Sequence, residues 1–255
     1  MKKKVVLDSF VRNASLGKKS LALLVDPDDL NEGGMKAIVN AAIENKVDYF
    51  LVGGSLITSN NLESVVDSIK AYSAIPCILF PGNAIQIHPE ADAILFLSLI
   101  SGRNPELLIG QHVVAAPVLK RSNLEIIPTG YMLIHSGRPT SVSYMSNTQP
   151  IPNDKPSLAI STAMAGEMLG LKCIYMDAGS GALEPVSSKV IKSVKRNIDI
   201  PLIIGGGINS KRRAQEALEA GADMIVIGNG AQKNLSLLAE VSDVIQYLNE
   251  ALNVN

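Results

Sequence analysis

Eight short aliphatic runs recur along the chain, and their regular spacing limits what the chain can fold into. Most of the runs are followed directly by Gly, Pro, Asp or Ser. They are Leu21–Val25, Tyr49–Val52, Cys77–Phe80, Ala93–Leu97, either Glu125–Ile127 or Tyr131–Ile134, Cys173–Met176, Leu202–Ile204 and Met224–Ile227. Continuous apolar runs of this length are typical of parallel strands that are covered on both faces.

Segments with helical spacing separate most of these runs. In Ser210–Gly221, an apolar stripe of Ala214, Ala217 and Leu218 lies between an N-cap serine and a terminating glycine. Eight runs in 255 residues give about 32 residues per unit, close to the ~30 residues of a βαβ unit. The pattern predicts a single-domain (β/α)8 barrel over residues 1–255. An open doubly wound sheet is the alternative, because strand order cannot be read from spacing.

Two stretches break the alternation of strand and helix. Pro81–Asp92 is too short and too rich in Pro and Gly for a full covering helix. Gly137–Pro156, which is rich in Ser, Thr, Asn and Pro, predicts a long polar loop. Long loops inside compact domains are usually functional.

Composition excludes several classes of partner. The net charge is −1, whereas binding to a phosphate backbone needs a concentrated excess of Lys and Arg, so nucleic acid is not the main partner. The most apolar run, Ala93–Ile100, is far shorter than the ~20 residues of a membrane-spanning helix. Cys77 and Cys173 lie in strand-like runs without metal-ligand spacing, which favours a reducing, cytoplasmic setting.

Glycine clusters follow the last two runs, where a barrel often binds phosphate. The seventh run continues into Gly205–Gly207, and the eighth is followed by Gly228, Asn229 and Gly230. Glycines let backbone N–H groups approach an anion closely, and the next helix N-terminus adds partial positive charge. We therefore predict a phosphate monoester held by the backbone of Gly206, Gly207, Gly228 and Asn229. Two tight turns that need positive φ are the alternative.

The sixth run ends in groups that could act on a substrate hydroxyl. Alternation along a strand places Tyr175 and Asp177 on one face, beside the predicted phosphate site. Asp177 could bind or deprotonate a hydroxyl group, and Ser180 could contact the phosphate. In the alternative interpretation, Asp177 only caps the following turn.

The first run is followed by three carboxylates, Asp26, Asp28 and Asp29. An oxygen-rich site without paired lysines favours Mg²⁺ shared with a phosphate. Asp26 stands at the strand tip, and the hydroxyl of Ser55 could complete the site from the neighbouring strand. Asp28 and Asp29 could instead cap the helix that begins near Leu30.

Six motifs in sequence order resemble the geranylgeranylglyceryl phosphate synthase family, which includes the bacterial PcrB-type enzymes. They are Leu24–Asp28, Val52–Ser55, Ile127–Tyr131, Ser143–Thr148, Tyr175–Gly181 and Ile204–Ile208. The resemblance covers nearly the whole chain. It implies a modified TIM barrel and a Mg²⁺-dependent prenyltransferase.

The implied reaction joins the 3-hydroxyl of sn-glycerol 1-phosphate to C1 of a polyprenyl diphosphate and releases pyrophosphate. The donor that the resemblance implies is geranylgeranyl diphosphate. Asp26 and Ser55 match the metal positions, and Asp177 and Tyr175 match catalytic positions. The matching acceptor positions are Tyr175, Met176, Asp177, Ala178, Gly179, Ser180, Gly181, Gly206, Gly207, Gly228 and Asn229. The family usually has a glutamate where this chain has Asp177. The resemblance also implies a homo-oligomer.

A prenyl chain needs an apolar trough, which Ile94–Ile100, Leu107, Leu108 and Tyr131 could supply. A lipid substrate also implies peripheral contact with a membrane surface. Basic side chains that could attract pyrophosphate are Lys120, Arg121 and Arg138. Two other functions remain open: another phosphate-binding barrel enzyme, such as a sugar-phosphate isomerase or an aldolase, and a barrel that binds a phosphorylated ligand without catalysis.

Overall fold

Eight parallel strands form a closed barrel in which each strand pairs with its neighbours in sequence and β1 pairs with β8. The computed structural model describes residues 5–29, 32–58, 61–84, 86–228 and 235–252. The strands are β1 Ser20–Val25, β2 Tyr49–Val52, β3 Cys77–Leu79, β4 Ala93–Leu99, β5 Glu125–Leu133, β6 Cys173–Asp177, β7 Leu202–Gly205 and β8 Met224–Ile227. The predicted barrel is confirmed, and the open sheet is excluded.

Helices surround the barrel or close one of its ends. They are α1 Val5–Ser15, α2 Glu32–Glu44, α3 Leu62–Tyr72, α4 Gln111–Arg121, α5 Ser141–Ser146, α6 Pro156–Met168, α7 Ser188–Lys195, α8 Lys211–Glu219 and α9 Leu235–Leu252. In α8, Ser210 accepts the N–H of Arg213 as N-cap, and the predicted stripe of Ala214, Ala217 and Leu218 is buried. Among the helices within these ranges, none is long and apolar enough to span a bilayer.

Successive residues on a strand point to opposite sides of the barrel wall. On β6, Cys173 and Tyr175 pack in the barrel interior, whereas Ile174 and Met176 pack against the surrounding helices. The other strands divide in the same way, which gives one apolar cluster inside the barrel and a second one between barrel and helices. Burying each Leu, Ile or Val side chain in these clusters contributes about 1.5–3 kcal/mol.

Helix α1 closes the end of the barrel where the strands begin. Val6, Leu7 and Phe10 pack into the interior cluster, and the Phe10 ring meets Tyr49 edge to face at 4.9 Å. The buried carboxylate of Glu125, the first residue of β5, accepts the N–H groups of Val6 and Leu7 at 2.8 Å each. A carboxylate at a helix N-terminus pairs with otherwise unsatisfied N–H groups, so Glu125 fixes α1 across the barrel.

The third unit lacks a covering helix, as Pro81–Asp92 predicted. The described part of residues 80–92 contains only turns, bends and irregular chain between β3 and β4. A π-helical turn at Glu106–Gly110 then leads into α4. In a regular barrel, the helices before and after a strand both cover its outer face. The outer face of β4 is instead covered by α4 and this π-helical turn.

Two expectations about the middle of the chain are corrected. The two candidate runs around Pro128 belong to one strand, because Pro128 pairs with Phe96 and still accepts the N–H of Lys172 at 2.8 Å. The predicted polar loop contains α5, whose start is fixed by a hydrogen bond of 2.9 Å from the N–H of Thr140 to the Ser143 hydroxyl.

Candidate active site

A cavity of about 400 Å³ opens at the carboxyl ends of the strands and extends along β4 beneath α4. Because all eight strands are parallel, their last residues meet around this opening. The polar residues and glycines at the mouth include Asp26, Gly53, Gly54, Ser55, Gly82, Asn83, Asp177, Gly179, Ser180, Gly181, Gly206, Gly207, Asn209 and Gly228. Most of the residues singled out in the sequence therefore line one cavity.

Asp177 lies at the tip of β6, buried in the cavity wall. The Tyr131 hydroxyl donates a hydrogen bond of 2.5 Å to its Oδ2 atom, and the Gly179 N–H donates one of 2.7 Å to its Oδ1 atom. Burial raises the pKa of the carboxyl above its ordinary value, and these two hydrogen bonds to the charged form partly offset the increase. Asp177 does cap the turn at Gly179, but its place in the cavity wall also allows chemistry.

Three aromatic rings form the floor beneath Asp177. Tyr131 and Tyr175 have ring centroids 5.5 Å apart, and the Phe80 ring stacks on Tyr175 at 5.2 Å. Burial, followed by the nearby charge of Asp177, holds the pKa of both tyrosines well above the usual value. Both phenols therefore stay protonated and neutral at physiological pH. Tyr175 shares the inward face of β6 with Asp177, as the alternation predicted.

The glycine loop after β7 lies directly against the loop after β6. Gly206 has φ of +74°, and a β-carbon there would lie 2.5 Å from both Asp177 Oδ1 and the Gly179 nitrogen. Gly207 has φ of +70°. The positive-φ turn predicted after the seventh run is thus present, and the same turn brings backbone to the cavity mouth. Gly228 lines the mouth from β8, and Asn229 lies outside the described residues.

Two predicted acceptor residues do not direct their side chains into the cavity. Met176 and Ala178 pack in the cluster between barrel and helices, because they alternate with Tyr175 and Asp177 along the chain. The N–H of Ala178 donates to the Gly205 carbonyl at 3.1 Å. By contrast, Ser180 and Gly181 do line the mouth.

The predicted metal positions lie at the mouth beside β1 and β2. The Asp26 carboxylate covers the α-carbon of Gly54, where a β-carbon would approach Asp26 Oδ2 to 2.9 Å. Gly82 packs as tightly on the Gly54 and Ser55 carbonyl oxygens, at 2.4 and 3.0 Å from its β-carbon position. A carboxylate, a hydroxyl and carbonyls are all hard oxygen donors, so the residues fit a magnesium ion.

A second carboxylate of the Asp26 motif, Asp28, contacts the loop after β2. Asp28 Oδ2 accepts hydrogen bonds from both the N–H and the hydroxyl of Thr58, at 2.7 and 2.8 Å. Asp28 therefore fixes the loop after β2, a contact that the sequence did not predict. The side chain of Asp29 lies outside the described residues.

A second group of metal-type ligands lies away from the mouth. Ligand atoms of Glu63, Asp67 and His88 lie within 4.8 Å of one another, and both carboxylates are exposed. None of the three lines the cavity.

The lower cavity is apolar. The predicted trough residues that line it are Ile94, Leu95, Phe96, Leu97, Leu99, Leu107 and Tyr131. Leu108 and Ile100 lie outside it; Ile100 packs instead against Gly130 and Gly166. Sequence reasoning missed Ile87, Ala115 and Leu119, although the spacing of Ala115 and Leu119 marks an inward face of α4.

His112 belongs to the same apolar wall. Its ring meets Phe96 edge to face at 4.4 Å, and burial lowers the pKa of its imidazole. Lys120 and Arg121 stand exposed at the far end of α4 and are not among the described residues of the cavity wall. Neither residue therefore lines the mouth, where a pyrophosphate would lie.

A closed parallel barrel with glycine loops and carboxylates at its mouth defines the class: a phosphate-binding (β/α)8 barrel. The chain belongs to the PcrB family, whose sequence profile matches residues 15–245. The family indicated by the six motifs is confirmed.

Named relatives and solved structures agree with this family. The chain is 52% identical to the geranylgeranylglyceryl phosphate synthase of Spirosoma linguale, over 92% of this chain and 95% of the relative. It is 49% identical to that of Chitinophaga pinensis, over 94% and 95%. The crystal structure of (S)-3-O-geranylgeranylglyceryl phosphate synthase from Thermoplasma acidophilum, in complex with the substrate sn-glycerol-1-phosphate, superposes with a TM-score of 0.90. That structure is 32% identical and covers 96% of this chain and 100% of its own.

Proposed function

We propose that this chain is a geranylgeranylglyceryl phosphate synthase that joins the 3-hydroxyl of sn-glycerol 1-phosphate to C1 of a polyprenyl diphosphate. One observation carries the proposal: a single cavity joins a polar mouth of glycine loops and carboxylates to an apolar trough along β4. A phosphorylated acceptor and a long hydrocarbon donor need these two environments side by side. The relatives named for the same reaction support the proposal.

The residues of the mouth divide the chemistry between them. The acceptor phosphate binds the backbone of the loops after β6, β7 and β8, which places the glycerol 3-hydroxyl beside Asp177. As that oxygen attacks C1, the bond from C1 to the diphosphate oxygen breaks and its electron pair leaves with pyrophosphate. The hydroxyl proton passes to the Asp177 carboxylate, whose raised pKa makes it a better base than an exposed aspartate.

The phenols of Tyr131 and Tyr175 have a positioning role. Tyr131 holds Asp177 Oδ2 in place, and the packed rings of Tyr131, Tyr175 and Phe80 exclude water from the side of the reacting carbon. An allylic C1 gains positive charge as its bond to the diphosphate lengthens, and the faces of aromatic rings attract such charge. Protein groups therefore mainly orient the reactants and stabilise developing charge.

Asp26 and Ser55 would hold Mg²⁺ at the diphosphate end of the cavity. A bound magnesium ion neutralises the charge that develops on the leaving pyrophosphate. Asp26 is tied to its own turn by the N–H of Asp28, which donates to Asp26 Oδ1 at 3.1 Å. The glycine at position 54 leaves the carboxylate room to face the mouth.

The test incubates the protein with sn-glycerol 1-phosphate or its 3-phosphate enantiomer, Mg²⁺, and prenyl diphosphates of graded length. Mass spectrometry of the lipid extract should detect a prenyl ether of the 1-phosphate, formed only with Mg²⁺. Absence of product with every pair would overturn the function. Asp26→Ala should abolish the Mg²⁺-dependent reaction without lowering Tm, and a variant that keeps most activity would refute the metal assignment.

The alternative of a Schiff-base aldolase loses support in the structure. The described residues that line the cavity include no lysine, and such an enzyme needs a lysine amine at the reacting carbon.

A further inference from the structure

Two arginines hold the acceptor loops from outside the cavity. In α8, Arg213 Nη1 donates to the Gly207 carbonyl at 2.9 Å, and its Nη2 donates to the Leu183 carbonyl at 3.0 Å. One guanidinium group therefore bridges the loop after β7 and the loop after β6. Its planar fork supplies two donors in fixed directions, which suits it to join two carbonyls.

Arg138 holds the same β6 loop from the other side. It follows β5, and its Nη2 donates to the Gly181 carbonyl. A β-carbon at Gly181 would approach this nitrogen to 2.9 Å, so the contact also needs the glycine. The loop that carries Ser180 thus lies between two guanidinium groups, and neither Arg138 nor Arg213 is among the described residues of the cavity lining.

These loops need outside support because glycines dominate them. Gly179, Gly181, Gly206 and Gly207 all have positive φ, and glycine loses the most conformational freedom on ordering. A peptide unit is planar, with its C=O and the next N–H pointing in opposite directions. A guanidinium group that fixes the Gly207 carbonyl on the outside therefore also fixes the direction of the following N–H, that of Ile208, which lines the cavity.

We propose that Arg213 and Arg138 are positioning residues of the acceptor site, which keep the β6 and β7 loops at the separation that a phosphate monoester requires. Their positive charges, directed at carbonyl oxygens behind the loops, also favour a dianion in front of them. The inference rests on the proposed function, because it assigns the acceptor phosphate to these loops.

The test compares Arg213→Met with Arg212→Met. Arg212 is the neighbouring arginine on α8, 74% exposed, and it pairs with Glu216 within its own helix. Arg213→Met should raise KM for sn-glycerol 1-phosphate about tenfold while kcat stays within about threefold and KM for the prenyl diphosphate is unchanged. Arg212→Met should behave as wild type.

Two further variants separate positioning from general stability. Arg213→Lys keeps the charge but loses the pair of donors in fixed directions. Its KM for sn-glycerol 1-phosphate should therefore lie between those of wild type and Arg213→Met. Arg138→Met should raise the same KM, and the double variant should show a non-additive effect because both arginines hold one loop. An unchanged acceptor KM in Arg213→Met, or equal losses for both substrates together with a fall in Tm, would overturn the proposal.

The role of Arg213 can also be tested without the reaction, by measuring the binding of inorganic phosphate to the same variants with calorimetry. Arg213→Met should bind phosphate about tenfold more weakly than wild type and Arg212→Met. If the wild type forms no ether product, the proposed function fails, and phosphate affinity still decides the role of Arg213. Equal phosphate affinity in all three proteins would refute it.

Discussion

Two hydrogen bonds fix the position of the Asp177 carboxylate. The resemblance to the family implies a glutamate at this position, and aspartate shortens the reach by one methylene. Tyr131 and Gly179 each hold one carboxylate oxygen and thereby fix the direction of the remaining lone pairs. The carboxylate faces the cavity from a rigid strand end, where a small error in position would cost rate.

Replacing Asp177 by Asn should separate catalysis from stability. The raised pKa means that the folded state pays for ionising this carboxyl at any pH above its ordinary value, so the amide removes that cost. We expect turnover to fall by about 100-fold or more, while Tm at neutral pH stays equal or rises. Steady-state kinetics and thermal melting check both parts, and unchanged kinetics would show that the carboxylate is structural.

Tyr131→Phe should move the acid limb of the pH profile. The Tyr131 hydroxyl bonds to the charged carboxylate and so lowers the pKa of Asp177. Its removal raises that pKa further, and because the base acts only when ionised, activity is lost at a higher pH as the solution is acidified. The pH dependence of kcat/KM measures this, and a limb that stays in place or moves to lower pH contradicts the role given to Tyr131.

Among the loops, the turn after β7 is the one whose shape bears most directly on the active site. Gly206→Ala should place a methyl group against Asp177 Oδ1 and the nitrogens of Gly179 and Ala178, whereas Gly170, with φ of +90°, has nothing within 4 Å of its β-carbon position. Gly170→Ala should lower the free energy of unfolding by about 1 kcal/mol, the cost of left-handed backbone alone. Gly206→Ala should cost about 2 kcal/mol more and reduce activity.

Chemical denaturation and activity assays of the two glycine variants test this difference. Equal costs, with full activity in Gly206→Ala, would show that the loop yields without disturbing Asp177.

The elements of this fold differ in how far the sequence alone determines them. Val52, Val25 and Ile227 mark strand ends correctly, because glycine or aspartate follows each buried run. Pro128 misled the prediction for β5, since a proline can remain in a strand when its missing N–H is offset by pairing along the rest of a long ladder. The partner of Asp28 could not be predicted, because Thr58 reaches it only after β1 and β2 are paired.

The residues of the active site also differ in how far the sequence alone determines their positions. Alternation along β6 was enough to place Tyr175 and Asp177 together, because that rule is local. The hydrogen bond from Tyr131 and the contacts of Arg213 with the two loops depend on the packing of distant elements. No local pattern in the sequence carries that information.

At the scale of the whole molecule, stability and chemistry occupy opposite ends of the barrel. Glu125→Ala should remove the cap of α1 and leave two buried N–H groups without their acceptor, lowering the free energy of unfolding by about 3 kcal/mol. The exposed Glu216→Ala should cost less than about 1 kcal/mol. Denaturant titration compares the two variants. In buffer at moderate temperature, folded Glu125→Ala should keep wild-type turnover, and a selective loss of turnover would contradict this division.

The third unit has no covering helix among its described residues, and this leaves room for a prenyl donor beside β4. In the other units, side chains of a covering helix complete the apolar layer outside the strands. Along β4, a prenyl chain would lie in that layer between Phe96 and Leu119. Hydrocarbon from the substrate would then occupy the space that helix side chains fill in the other units. The proposed donor would then belong to the apolar packing around the strands, and its affinity would depend on the same contacts that stabilise the fold.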